Sequence, residues 1–239
     1  MQAASPLQRH RLAWLTQAAW ANTLAATPWD EPAQACLSHW HRQRLPLVVA
    51  RQPEVGRAAA AGPQRIHLGL AMPQQWGRGR LSIAVEPAGI RACGDFPTMA
   101  AVADLMPPAC RQAWQALTAA LRREGCEARV YGSFGWQWLS KLAYVRPTSD
   151  VDVLLPVRDA EQADRVVACL SAWPGEAQGM PRLDGELAGP DHGAVPWREW
   201  QRWRNGQAQA MLVKRIDGVQ LHSQPWWPTA TPLINPQGA

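Results

Sequence analysis

Apolar residues recur along the chain at two spacings, one typical of helices and one typical of strands. Spacings of three and four residues predict helices, whereas short alternating or continuous apolar runs predict strands. The predicted helices are residues 7–24, 109–124, 134–143, 159–172 and 196–203. The predicted strands are residues 45–50, 65–70, 80–85, 128–131, 150–157, 182–187, 210–216 and 219–222. This mixture of elements predicts an α+β protein in which a mixed sheet is flanked by helices.

A stretch rich in glycine, proline and polar residues, residues 86–99, interrupts the pattern. Because such a composition is typical of connections, we place a module boundary within it. The sequence therefore predicts a small α/β N-terminal module over residues 1–95 and a second, larger domain over residues 96–239. From Ser223 onwards the chain is rich in proline and has no periodicity, so we expect an irregular C-terminal tail.

The most informative motif joins a Gly-Ser turn to a strand that carries two aspartates. Gly132 and Ser133 end one predicted strand and begin a helix, which is a favourable arrangement for binding phosphate through backbone N–H groups and a hydroxyl. Asp150 and Asp152 lie two residues apart in the next predicted strand, so their side chains share one face. Neighbouring carboxylates repel each other, and a divalent cation with oxygen ligands is their natural partner.

Three further residues are candidates for the same site. Asp184 and Glu186 again share a strand face, and either could complete a metal site or act as a general base. We prefer Asp184 as the third carboxylate, and the alternative is an acidic turn between strands. Lys214 is one of only two lysines and lies in a strand-like segment. It could neutralise phosphate charge, or it could be a solvated lysine at a sheet edge.

Composition limits the classes of function. The 239 residues carry a formal charge of +5, which favours an anionic partner. The five cysteines are scattered singly, so neither a disulfide framework nor a structural zinc site is expected. Among the 14 tryptophans, Trp197 and Trp200 are spaced for core packing rather than for stacking on adenine. The chain lacks a long apolar run and an apolar N-terminus, so we expect a cytoplasmic protein without a membrane partner.

Specific segments resemble a known family. The segment VYGSFGWQWLSKLAYVRPTSDVDVLL resembles the signature of the DNA polymerase β-type nucleotidyltransferase superfamily. The segments GSFGWQWL, SDVDVLL, DGEL, AVPWREW and MLVKR, together with LPLVVARQ and LGLAMP, are similar to the phosphoribosyl-dephospho-CoA transferases of malonate decarboxylase, the MdcG family. The resemblance covers most of the chain and implies a nucleotidyltransferase-type mixed sheet in the second domain.

The resemblance also implies a reaction. Enzymes of this family attach 2′-(5″-phosphoribosyl)-3′-dephospho-CoA to a serine of the apo acyl-carrier subunit of malonate decarboxylase and release pyrophosphate. The donor is triphosphoribosyl-dephospho-CoA. By resemblance, Asp150 and Asp152 would hold one or two Mg²⁺ ions, and Gly132 and Ser133 would bind the leaving phosphates. An in-line transfer of this kind depends mainly on positioning and charge neutralisation.

Two other functions compete with this interpretation. A nucleotidyltransferase that modifies another protein or a small molecule would use the same site on a different acceptor, and only the motifs outside the site disfavour it. A basic nucleic-acid-binding module without catalysis would fit the abundance of arginine and tryptophan. It would leave the paired aspartates unexplained, since they would repel phosphate in the absence of a cation, so nucleic acid is not the expected partner.

Overall fold

The computed structural model describes residues 7–26, 28–52, 65–175 and 179–225. Its helices are α1 (Gln17–Ala25), α2 (Glu31–Gln43), α3 (Arg111–Arg123), α4 (Gly132–Ser140), α5 (Ala160–Ser171) and α6 (Trp197–Arg204). Its strands are β1 (Leu12–Leu15), β2 (Leu47–Val49), β3 (Ile66–Ala71), β4 (Arg80–Val85), β5 (Ile90–Gly94), β6 (Arg129–Tyr131), β7 (Val151–Pro156), β8 (Leu183–Ala188), β9 (Ala194–Pro196), β10 (Met211–Lys214) and β11 (Val219–His222). The predicted α+β class is confirmed. Most of the predicted tail, residues 226–239, lies outside the described residues.

The N-terminal sheet has the strand order β4-β3-β2-β1-β5, and all of its strand pairs are antiparallel. Along β3 the side chains alternate between the two faces. Ile66, Leu68 and Leu70 are buried in one cluster with Leu37 and Trp40 of α2. The opposite face of β3 carries His67, Gly69 and Ala71 and is only partly buried, which leaves Gly69 and Ala71 available to line a cavity.

The first predicted helix, residues 7–24, is wrong in its first half. Residues Leu12–Leu15 form β1 instead, and the helix α1 begins only after Thr16. The Thr16 hydroxyl accepts a hydrogen bond from the backbone N–H of Ala19, which caps the helix. Apolar residues at this spacing are compatible with a buried strand followed by a helix, so the spacing alone could not separate the two structures.

The helix α2 and the strands β5 and β9 were not predicted. The apolar side of α2 is carried by Ala33, Cys36, Leu37 and Trp40, which are buried at helical spacing between polar residues. Strand β5 lies inside the stretch that we interpreted as a connection, and it forms the edge of the sheet beside β1. Strand β5 is stabilised by pairing with β1, which is distant in sequence. Strand β9 is stabilised by pairing with β8, the preceding strand of the chain.

The C-terminal sheet has the order β11-β10-β9-β8-β7-β6. Strands β7 and β8 are parallel, and the other pairs are antiparallel, so the predicted mixed sheet with flanking helices is present. Trp197 and Trp200 are buried in the core beneath this sheet, as predicted. Gly185 permits close approach of β8 to β7, because a Cβ atom there would lie 2.3 Å from the Val153 carbonyl oxygen.

The two sheets share a packed boundary. Phe96, Trp136 and Tyr144 join the buried cluster of the N-terminal sheet, although Trp136 belongs to α4 beside the C-terminal sheet. The Tyr144 hydroxyl donates a 2.6 Å hydrogen bond to the carbonyl oxygen of Ala71 at the end of β3. Helix α4 is therefore held from both sides. No helix in the described part of the chain is long and apolar enough to cross a membrane.

Candidate active site

Three neighbouring strands bring Tyr131, Asp152 and Asp184 side by side on the C-terminal sheet. Asp152 of β7 lies opposite Tyr131 of β6 on one side and opposite Asp184 of β8 on the other. Asp150 comes immediately before β7, so only Asp152 of the two motif aspartates lies within the strand. Because parallel register partners are neighbours on the same face, the structure places Asp184 rather than Glu186 beside Asp152.

The Gly132-Ser133 turn packs directly against the Asp152 carboxylate. Gly132 has a φ of +61°, in the left-handed region that glycine adopts without steric cost. A Cβ atom at this position would lie 2.0 Å from an Asp152 carboxylate oxygen. Ser133 follows in the first turn of α4 and lines the same cavity as Asp152. The positive end of the helix and the carboxylate thus border one space.

The Asp152 carboxylate lies in a negative environment. Burial raises its pKa to about 6, and the charges of Asp184, Asp150 and Glu186 act in the same direction. Arg182 provides a smaller opposing effect. A buried carboxylate among like charges is costly unless a cation or a proton neutralises it. Its surroundings therefore favour a bound cation.

Asp184 is partly neutralised by arginines. The Arg182 guanidinium donates hydrogen bonds to both carboxylate oxygens of Asp184, one of them at 3.1 Å. Arg198 lies further away, with its Nε atom 3.7 Å from the same carboxylate. Both arginines are about half exposed, so they orient Asp184 without removing it from solvent. Neither arginine is recognisable as a site residue in the sequence, because their contacts depend on the register of β8 and the position of α6.

Glu186, the other predicted candidate on β8, is buried and surrounded by basic side chains. Its carboxylate lies 2.8 Å from Lys214 Nζ, 3.0 Å from His10 Nε2 and 3.2 Å from the Arg9 guanidinium. Burial alone would raise the pKa of Glu186, but the hydrogen bonds and charges of His10, Arg9 and Lys214 hold it well below its usual range. Two predicted site residues, Glu186 and Lys214, thus bind each other.

His10 is a residue near the site that sequence reasoning missed. Its ring lies 4.2 Å from the ring of Tyr131, and it lines the same cavity as Asp152. It reaches Glu186 across a sequence separation of 176 residues. No motif surrounds His10 in the sequence, so only the tertiary structure could reveal its position. The N-terminal segment therefore contributes a side chain to the space in front of the C-terminal sheet.

The carboxylates of the site suit a Mg²⁺ ion that is also coordinated by oxygens of the substrate phosphates. Within residues 7–26, 28–52, 65–175 and 179–225, no group of three or more His, Cys, Asp or Glu side chains is gathered closely enough to hold a metal ion. Mg²⁺ in enzymes that act on phosphates is usually bound by one or two carboxylates together with substrate phosphate oxygens. Asp152 and Asp184, as adjacent carboxylates beside a phosphate-compatible turn, fit that kind of shared coordination.

An α+β fold that places neighbouring carboxylates beside the start of a helix is the arrangement expected of an enzyme that acts on a phosphorylated ligand. Comparison with known proteins defines the family. Residues 98–225 match the phosphoribosyl-dephospho-CoA transferase MdcG C-terminal domain, and residues 8–96 match the MdcG N-terminal domain. The chain belongs to the phosphoribosyl-dephospho-CoA transferase family, as its motifs predicted, and it is a transferase.

Individual relatives agree with this assignment. A phosphoribosyl-dephospho-CoA transferase of Xanthomonas euvesicatoria pv. vesicatoria (strain 85-10) is 39% identical over 214 residues, which cover 89% of this chain and 92% of that protein. The protein of the same name from Bradyrhizobium diazoefficiens is 33% identical over 216 residues, covering 90% of each chain. A third, from Pseudomonas aeruginosa, is 28% identical over 84% of this chain and 88% of its own length. No solved structure matches the chain.

Proposed function

We propose that this protein transfers 2′-(5″-phosphoribosyl)-3′-dephospho-CoA from triphosphoribosyl-dephospho-CoA to a serine of the apo acyl-carrier subunit of malonate decarboxylase, and releases pyrophosphate. The observation that carries the proposal is the placement of Asp152 between the Gly132-Ser133 turn and Asp184. The names of the relatives support the transferred group. The acceptor follows from the resemblance of the motifs to the transferases of malonate decarboxylase.

The domain organisation and the type of fold are part of the proposal. The strands of one sheet come from residues 12–94 and those of the other from residues 129–222, which supports an N-terminal module over residues 1–95 and a catalytic domain over residues 96–239. The order of Gly-Ser turn, helix and aspartate-bearing strand supports a nucleotidyltransferase-type catalytic domain.

Different residues of the site would bind the metal ions and the leaving phosphates. Asp152 and Asp184, with Asp150 at the edge, would hold one or two Mg²⁺ ions, which when bound neutralise charge on the donor phosphates. The backbone at Gly132 and the Ser133 hydroxyl bind the leaving phosphates at the start of α4. The acceptor serine oxygen forms a bond to the α-phosphorus while the bond to pyrophosphate breaks. One of the carboxylates of the site accepts the serine proton.

The decisive experiment is incubation of the protein with the apo acyl-carrier subunit, triphosphoribosyl-dephospho-CoA and Mg²⁺, followed by intact-mass measurement of the carrier. We expect the carrier to gain the mass of one phosphoribosyl-dephospho-CoA group. A carrier whose acceptor serine is replaced by alanine should gain nothing. Labelling of the alanine carrier, or equally fast labelling of a small alcohol, would redirect the proposal to a nucleotidyltransferase with another acceptor.

Removal of divalent cations is expected to abolish transfer, because Asp152 and Asp184 would then face the donor triphosphate with like charge. Treatment with EDTA followed by addition of excess Mg²⁺ should restore the rate of carrier labelling. The thermal unfolding temperature measured in both conditions serves as the control for intact structure. Full activity in excess EDTA would exclude a role for a metal ion.

A methyl group at the turn should disrupt the site through its contact with Asp152. Gly132→Ala is expected to lower the transfer rate by about 100-fold, because the new Cβ would displace a carboxylate that must be held in place. Gly206→Ala is a matched control, since Gly206 also has positive φ, at +71°, but nothing lies within 4 Å of its added Cβ. Both variants should lose about 1 kcal/mol of stability from the left-handed backbone. Similar activity in the two variants would contradict the assignment of the turn.

A further inference from the structure

A cavity of about 620 Å³ lies between the N-terminal sheet and the Gly132-Ser133 turn. Its floor is the partly buried face of β2 and β3, which includes Val48 and Gly69, and Asp152 also lines it. This volume is in the range of pockets that bind cofactors and nucleotides, about 300–1,000 Å³. Both halves of the chain thus wall one space that opens onto the carboxylates.

Three aromatic residues also line the cavity. Tyr131, Trp136 and Tyr144 all line the cavity, and Trp136 and Tyr144 are stacked on each other with ring centroids 6.4 Å apart. The floor carries small side chains, with Gly69 and Ala71 two residues apart on the same face of β3. A cavity lined by small residues and by aromatic rings leaves room for a flat, largely apolar group.

The cavity is lined by an anionic side chain, Asp152, and by a cationic side chain, Arg80. Asp152 and the Gly132-Ser133 turn belong to the site proposed for the triphosphate. Arg80, at the first position of β4 and paired with Ala71 at the end of β3, is an exposed cation that also lines the cavity. The cavity therefore has two positions for charged groups. The position at Asp152 suits phosphates bound together with a metal ion, and the position at Arg80 suits a second anion.

We propose that this cavity binds the adenosine moiety of the dephospho-CoA part of the donor, and that Arg80 binds its 5′-diphosphate. The inference rests on the proposed function and assigns a role to the N-terminal sheet in it. A phosphoribosyl-dephospho-CoA donor carries its reacting phosphates and its adenosine on one molecule, so the two must occupy adjoining sites. Adenine is the flat group nearest the reacting phosphates, and the cavity with aromatic and small-residue walls adjoins Asp152 directly.

Filling the cavity from its floor tests the proposal. Gly69 has ordinary backbone geometry, and a Cβ atom there would meet its nearest neighbour, Val48 Cγ1, at 3.5 Å, so Gly69→Val is compatible with the fold. We expect the affinity for dephospho-CoA, measured by titration calorimetry on the full chain, to fall by about tenfold or more. Ala84→Val is the matched control, because Ala84 is exposed on the neighbouring strand β4 and does not line this cavity. The affinity of the Ala84→Val variant for dephospho-CoA should match that of the wild type.

Smaller probes identify the occupant. Adenosine diphosphate should lose as much affinity as dephospho-CoA in Gly69→Val, whereas 4′-phosphopantetheine and inorganic triphosphate with Mg²⁺ should bind as they do to the wild type. Arg80→Gln should weaken binding of adenosine diphosphate but leave binding of adenosine unchanged. If Gly69→Val does not fold, Ala71→Val narrows the same floor and should give the same pattern.

The outcomes separate this inference from the proposed function. If the wild type does not bind dephospho-CoA, both the donor assignment and the cavity assignment are wrong. If the wild type binds it and both floor variants bind it equally well, only the cavity assignment is wrong. A selective loss of 4′-phosphopantetheine binding would show that the pantetheine arm occupies the cavity, and would overturn the placement of adenosine.

Discussion

Asp152→Asn is expected to lower the rate of carrier labelling by about 100-fold or more, because it removes the charge that holds the metal ion and triphosphate in place. The substitution preserves volume and removes repulsion between Asp152 and Asp184, which are register partners on neighbouring strands. The thermal unfolding temperature without metal should therefore be unchanged or higher. Loss of activity without loss of stability is the behaviour of a functional residue rather than a structural one.

The same experiment with the flanking aspartates ranks the three carboxylates. Asp184→Asn and Asp150→Asn should also reduce labelling strongly, and Asp104→Asn serves as the control because Asp104 is exposed and far from the site in sequence. Circular dichroism and turnover are to be measured on the same preparations. Near-normal turnover of Asp152→Asn would remove the basis for a metal site on β7.

Glu186→Ala is expected to destabilise the protein by about 3 kcal/mol, because it removes a buried carboxylate and leaves three partly buried basic groups without their counter-charge. The carboxylate of Glu186 is only 7% exposed and contacts Arg9, His10 and Lys214. Urea unfolding followed by circular dichroism would measure the change.

Glu127→Ala provides the contrast, since Glu127 pairs with Arg122 where both side chains are about half exposed. It should change stability by less than about 1 kcal/mol. Equal effects of the two substitutions would show that the Glu186 cluster is not a stabilising feature.

Local patterns were sufficient to predict several strands in both sheets. The alternation of buried valines with aspartates predicted β7, and β4 and β11 have the bounds that the pattern predicted. The prediction of a helix over residues 7–24 was wrong in its first half, because strand β1 forms there by pairing with strands that are distant in sequence. Leu12 in β1 pairs with Val48 on one side and Gly94 on the other, and neither contact is visible in the local sequence.

The site shows a similar division between local and long-range information. Gly132, Ser133 and Asp152 were recognisable because their motif is continuous in sequence. The choice between Asp184 and Glu186 required the register of β8 against β7, which is a property of the folded sheet. The N-terminal contribution of His10 could not be predicted, since it depends on a contact that closes a loop of most of the chain.

The position of Trp136 has a consequence for how such a chain can evolve. This side chain lies one turn after the Gly132-Ser133 turn on α4, yet it packs in the apolar cluster of the N-terminal sheet. A substitution in that sheet can therefore shift the helix that presents the phosphate-binding turn. Exchange of one half with that of a distant relative would combine surfaces that had not adapted to each other. The two halves should consequently be inherited and diverge as a matched pair, with changes on one side of α4 compensated on the other.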